Sequence, residues 1–331
     1  MNKLPLHRVN PLRYPGGKRW FAPYLERILS VNGLAPSLFV EPFAGGAGVA
    51  LHLLHTGKVE AIALADADPL IAAFWKTVFG DVEPLLNKIE DTRIDLETWT
   101  ELKTTTYESD LDRAFQCLFL NRTSFSGIIA GKAGPIGGKS QNSKYKIDCR
   151  FNKSRIIETI RFLNECYKDR VLFVWNKPWR YTLNRLDKYI HSNSLDRKKL
   201  LCYLDPPFIQ KGAQMYRCHF EQHDHVLLRD YLDDFHLPWI LSYDDCESAR
   251  ELYRGVRQSE LDVLYCCSCA SREGSEAKAK SELVVSNLVT TLSEILPSGK
   301  NRRRVSANTT YGKQLKSAER SDLLFSKVNS K

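Results

Sequence analysis

LFVEPFAGGAGVAL, residues 38–51, decides how this chain reads. Its first half is an apolar run rich in β-branched and aromatic residues. Its second half is a glycine turn that leads into further apolar residues at helical spacing. A strand running through such a turn into a helix is the opening unit of a doubly wound sheet. Ligands of nucleotide type bind those sheets outside the carboxyl ends of the strands. Gly45, Gly46 and Gly48 allow a tight turn and a close approach of backbone to ligand. An ordinary βα turn would also suit them.

Further buried-strand patterns follow at AIALAD (61–66), VLFVWN (171–176), LLCYLD (200–205), WILSYD (239–244), LDVLYCCS (261–268) and ELVVSNL (282–288). Helix-like stretches such as PYLERILSV and HDHVLLRDYLDDF separate most of them. That alternation predicts an α/β fold, a doubly wound Rossmann-like sheet of about seven strands. The last two strands have only a polar loop between them and are expected to pair antiparallel at an edge. The pattern is interrupted from about 76 to 165. Two helical stretches there are followed by SFSGIIAGKAGPIGGKSQNSKYKI, which reads as a flexible hairpin or loop. The expected organisation is a discontinuous main domain (1–75 and 166–296), an inserted module (76–165) and a poorly ordered basic tail (297–331).

The formal charge of +9 is unevenly spread. Residues 1–120 carry −3, 121–155 carry +7, 156–296 carry −2 and 297–331 carry +7. A basic insertion and a basic tail on a slightly acidic body suggest a polyanionic partner. No apolar run would cross a bilayer and the N-terminus has no signal core, so a cytoplasmic protein is expected. The nine cysteines are then expected as free thiols. Cys266 and Cys269 in CCSC invite a zinc reading, but no second pair at finger-like spacing follows. No metal is expected.

The second strand pattern ends on Asp66, about twenty residues after the glycine turn, where an acid can accept hydrogen bonds from ribose hydroxyls. Asp68 reads as the N-cap of the next helix. The turn lacks the G-x-G-x-x-G pattern and a phosphate-gripping lysine, so an adenosine ligand without phosphates fits best. S-adenosylmethionine (AdoMet) is the expected cofactor, with Glu41, Phe43, Gly45, Gly46 and Asp66 as candidate contacts.

The fourth strand pattern ends in DPPF (205–208). RYPGGK (13–18), EPFAGGAG (41–48), LNRTSFSGI (120–128), DPPF and SELVVSN (281–287) occur in this order. Together they resemble the D12-class, Dam-type DNA adenine-N6 methyltransferases over about residues 10–290. The resemblance implies that Tyr14 and Lys18 contact the cofactor and that Asp205 is the catalytic acid and borders the cofactor. It implies double-stranded DNA as partner. Any restriction or phage-defence partner is not readable from the sequence. The chain departs from the family at Phe208, usually tyrosine, and at Ala47, often glycine. Its loop lacks the arginine pattern of GATC readers.

The chemistry of DPPF can also be argued directly. Asp205 can accept one hydrogen of an exocyclic amine and the Pro206 carbonyl the other, favouring the nucleophilic nitrogen of the transition state. Pro207 holds Pro206 extended, and Phe208 can stack on a base turned out of the duplex. The basic insertion offers Arg122, Lys132, Lys139, Lys144, Lys146 and Arg150 to phosphates, with Phe125 either a wedge or part of the loop's packing. Cytosine N4, an RNA amine, or DNA binding without turnover remain alternatives.

Overall fold

A computed structural model describes residues 3–131, 133–209, 212–264 and 279–289. Lys132, the CCSC cysteines and the basic tail lie outside the described residues. The strands are β1 (Leu38–Glu41), β2 (Ala61–Asp66), β3 (Val171–Asn176), β4 (Leu200–Leu204), β5 (Trp239–Asp244), β6 (Arg257–Leu264) and β7 (Ala279–Ser286). They form one sheet in the order β3-β2-β1-β4-β5-β7-β6. The first five are parallel, and β7 runs antiparallel between β5 and β6. Chain progression reverses between β1 and β4. This is the switch point at which an open α/β sheet forms a crevice.

The central strands β1, β2, β4 and β5 are buried on both faces, and the period of two sorts their residues and those of β7. Phe39, Leu201, Tyr203, Ile240 and Val284 enter one apolar cluster, while Leu38, Val40, Leu200, Cys202, Leu241 and Val285 enter the other. The first cluster is covered by α1 (Ala22–Val31), α2 (Gly48–Thr56) and α3 (Pro69–Val78). It continues without a break into α4 (Glu83–Asp91), α5 (Leu96–Thr104), α6 (Asp110–Thr123) and α7 (Lys153–Tyr167) of the interrupting segment. The other face is covered by α8 (Trp179–Ser192), α10 (Gln222–Asp233) and α11 (Glu247–Leu252), with the short α9 (Gly212–Met215) following DPPF. Among the described residues no helix is long and apolar enough to cross a membrane.

Two boundaries differ from the sequence reading. β6 begins at Arg257 rather than 261, and β7 at Ala279 rather than 282. RQSE is polar because β6 is the sheet's edge, where strand pairing needs no apolar run. The described residues of 124–150 form an irregular loop that contains an antiparallel bridge between Ser124 and Pro135. Phe125 N–H and Ile136 N–H close that bridge on Gly134 and Thr123 carbonyls at 2.9 and 2.8 Å.

The loop is fastened to the N-terminal segment by Asn121, which is fully buried. Its Oδ1 accepts from Arg13 N–H at 2.7 Å and its Nδ2 donates to the Gly127 carbonyl at 2.9 Å. Gly127 has φ +74, and a Cβ there would stand 2.1 Å from the Arg13 carbonyl oxygen. Gly138 has a similar φ of +71 but open space around it. Gly138→Ala should therefore lose only the left-handed backbone preference, about 1 kcal/mol, whereas Gly127→Ala should lose about 3 kcal/mol or more. Urea unfolding of both variants checks this, and equal losses would refute the close approach.

Candidate active site

The carboxyl ends of β1, β2 and β4 open into one cavity of about 840 Å³. Glu41, Phe43, Gly45, Gly46, Asp66, Tyr14, Lys18, Asp205 and Pro207 all line it. Residues widely separated along the chain meet there because each stands at, or packs on, the same edge of the sheet.

The glycine turn is held from several sides. Trp75 Nε1 donates to the Gly45 carbonyl at 2.8 Å, and Asn10 Nδ2 to the Gly46 carbonyl at 2.6 Å. Asp66 Oδ2 accepts from Gly45 N–H at 2.8 Å, and its Oδ1 from Asp68 N–H at 2.9 Å. Tyr14 lies on the turn: Cβ atoms built on Gly45 and Gly46 would both meet it at 2.7 Å. Two glycines are needed to let that ring down. Ala47 occupies the left-handed region at φ 47 and precedes α2 without a capping side chain. The buried Glu41 substitutes from the strand, its Oε1 accepting from Ala50 N–H at 3.0 Å. Asp68 caps α3 through Leu70 N–H, as its position suggested.

Burial pushes the Asp66 carboxyl up to about 7, with Asp68 adding repulsion and the two N–H donors opposing it. Burial also drives Glu41 well above the usual carboxylate range.

Asp205 follows β4 directly. Its Oδ1 accepts from Ser242 Oγ at 3.1 Å and lies 3.4 Å from Lys18 Nζ. Lys18 is 3% exposed and donates to Glu282 Oε2 at 2.6 Å; Glu282 is itself 2% exposed. The antiparallel course of β7 explains this meeting, because it brings the start of β7 opposite the carboxyl end of β5, pairing Glu282 with Asp244. Burial opposes the Lys18 charge, but Asp205 and Glu282 outweigh it and raise its pKa. Burial lifts Asp205 to about 6; Lys18 pulls it down, Glu282 pushes it up and the Ser242 bond lowers it. The arrangement is a carboxylate–ammonium–carboxylate chain with one end facing the cavity.

Pro206 is buried and Phe208 half-buried, and neither lines the cavity. The Phe208 ring packs on Gly16, with Lys18 Nζ 5.7 Å from its centre and Tyr216 at 5.9 Å. Tyr216 in turn stacks with Tyr14 at 6.0 Å. Of the residues offered to DNA, Arg122 and Arg150 line the cavity, while Lys139, Lys144 and Lys146 are exposed elsewhere on the loop. Phe125 is 59% exposed.

Sequence reasoning missed Glu282, Tyr216 and Arg13. Glu282 left a signal, an acid inside the apolar SELVVSN strand. Arg13 opens the RYPGGK motif, in which Tyr14 and Lys18 drew the attention. Tyr216 had no signal of its own.

The model of the family described as D12 class N6 adenine-specific DNA methyltransferase matches residues 14–173. That span includes the glycine turn, Asp66 and the loop, and ends before Asp205. The chain is 23% identical over 256 residues to the type II methyltransferase M.CviBI of Paramecium bursaria Chlorella virus NC1A, covering 76% of this chain and 90% of that protein. It is 23% identical over 212 residues to the type II methyltransferase M.MjaIII of Methanocaldococcus jannaschii, covering 56% and 73%. A doubly wound sheet, a glycine turn and a downstream Asp-Pro-Pro-Phe agree with that match, and over just under half of its length the chain is similar to the D12 class N6 adenine-specific DNA methyltransferase family.

Proposed function

We propose that the protein methylates N6 of adenine in double-stranded DNA, with AdoMet as donor and the target base turned out of the helix. One observation carries this reading. The glycine turn, Asp66 and Asp205 line a single cavity at the switch point between β1 and β4. Its volume lies within the range of about 300–1,000 Å³ usual for small-ligand pockets. The exposed face of Asp66 and the glycine backbone suit an adenosine. When bound, the cofactor supplies a methyl group already activated on sulfonium. In this reading Tyr14, Lys18, Glu41, Phe43, Gly45, Gly46, Asp66 and Asp205 form the cofactor's surroundings.

The remaining chemistry belongs to the chain. Among the described residues both contacts of Asp205 fall on Oδ1, which leaves Oδ2 to accept an amine hydrogen. The Pro206 carbonyl accepts the other, and Pro207 fixes its direction. Lys18 keeps Asp205 ionised within a buried setting, and Glu282 keeps Lys18 in place. Phe208 packs on Gly16, Lys18 and Tyr216 rather than lining the cavity, so stacking on the base requires its ring to turn toward it, and no phenolic hydroxyl is needed for that stacking. Arg122, Phe125, Lys132, Lys139, Lys144, Lys146 and Arg150 take the DNA side. Residues 1–75 and 166–296 then carry cofactor and chemistry, and 76–165 the target contacts. The names of the two relatives support a place in a type II restriction–modification system.

Asp205→Ala should lower methyl transfer by about 10²–10³-fold or more while DNA binding persists. Tritiated AdoMet with mixed DNA measures the first and a gel shift the second; near-normal transfer would remove Asp205 from catalysis. Only ionised Asp205 can accept the amine hydrogen, and its carboxyl titrates at about 6. Activity should thus be flat above neutrality, and kcat/KM should fall roughly tenfold per pH unit below that midpoint. Glu282 pushes the Asp205 pKa upward, so Glu282→Gln should move the acid limb to lower pH. A pH–rate profile that keeps its midpoint in this variant would break the proposed link.

A further inference from the structure

The cavity has a second wall that the methyl-transfer chemistry does not use. Arg13 from the N-terminal segment, Arg122 at the end of α6, Arg150 and Arg155 all line it. Arg150 ends the short turn Ile147–Arg150, and Arg155 sits in the first turn of α7. Four guanidinium groups from four places in the sequence therefore face one space. Among the described residues none of the four is paired with an acid. Arg8, on the same wall, is neutralised by Glu158. Among the described residues Arg122 Nε is buried without a hydrogen-bond partner. Burial, then Arg13, Arg155 and Arg150, push the Arg122 pKa down to about 10. Arg13 is lowered by burial and by Arg150. Arg155 also stands at the positive end of the α7 dipole, and no acid occupies that first turn.

Gathered like charges of this kind destabilise the unliganded protein, and an anion would relieve them. Guanidinium groups bind phosphate oxygens through paired N–H donors, so several around one phosphate fix its position as well as its charge. The exposed Lys139, Lys144 and Lys146 differ from this set, since mobile point charges attract a backbone without fixing it. On the DNA-methyltransferase reading, on which this inference rests, the phosphates nearest the cavity are those beside the extruded nucleotide. We propose that Arg13, Arg122, Arg150 and Arg155 clamp a backbone phosphate flanking the target nucleotide and so hold the base against Asp205.

The clamp predicts one neutralisable phosphate, which can be tested from both partners. Sequencing of DNA from expressing cells first maps the methylated adenine. Duplexes with that site are then made with an uncharged methylphosphonate at the phosphate 5′ or 3′ to it. Arg150→Gln combined with Arg155→Gln alters exposed positions and avoids the half-buried Arg122. Wild-type protein should lose roughly tenfold or more in DNA affinity on one of the two modified duplexes. The double variant should show that loss on unmodified DNA, with AdoMet affinity unchanged, and lose less than about twofold further on that modified duplex. Its slope of log affinity against log salt should be shallower by about 0.9. The proposal is overturned if the losses multiply at both phosphates, or if the salt slope of the double variant equals that of wild type. It is also overturned if the double variant loses AdoMet affinity instead, which would assign the arginines to the cofactor. If wild-type protein transfers no methyl group to DNA, the underlying reading fails and the clamp with it.

Discussion

A charged lysine sealed inside the protein sets the terms for everything around it. Lys18 has almost no access to water, and its ammonium is tolerable only because Glu282 and Asp205 stand beside it. Breaking a buried pair by removing one partner typically costs about 3–5 kcal/mol. Three distant segments must therefore be in place together: the Tyr14–Lys18 turn, the end of β4 and the start of β7. The sheet order makes this feasible. With β7 running parallel, its first residues would lie at the opposite edge, and no acid would reach Lys18 from there.

The cavity is lined by two sets of charges. Glu41, Asp66 and Asp205 are acids whose pKa values burial raises. Arg13, Arg122, Arg150 and Arg155 form the other set, and within it Arg13 and Arg122 are depressed by their neighbours. A ligand with a cationic centre and a ligand with phosphates can thus occupy neighbouring regions of one crevice without competing. Lys18 is the exception, a cation placed among the acids, and it is the group that keeps Asp205 from being neutralised by its surroundings.

Much of the framework was legible because it depends on local rules. Apolar runs a few residues long, ended by Asp66 and Asp205, gave the parallel strands, since a strand buried on both faces has no other composition to use. The polar edge strand β6 escaped at its start for the converse reason. The site was legible where a motif is contiguous, as in the glycine turn or DPPF. It was not legible where partners meet only through tertiary folding. Nothing near Lys18 in sequence points to Glu282, some 260 residues away, and the capping of α2 by Glu41 depends on a strand rather than on the residue before the helix. The unity of the first apolar cluster was equally hidden. Helical spacing announces that a segment packs, but not that it shares one core with the sheet.

The grip of Asn121 bears on how such proteins could diversify. Its side chain ties the loop after α6 to the backbone N–H of Arg13, and Gly127 is pressed against the Arg13 carbonyl. The loop is therefore not a cassette that could be exchanged between relatives at its own ends. A graft of residues 124–150 alone would carry half of a joint. If the loop takes the DNA side as proposed, new sequence preferences would have to arise either by point changes on its outer surface or by inheriting the N-terminal segment along with it.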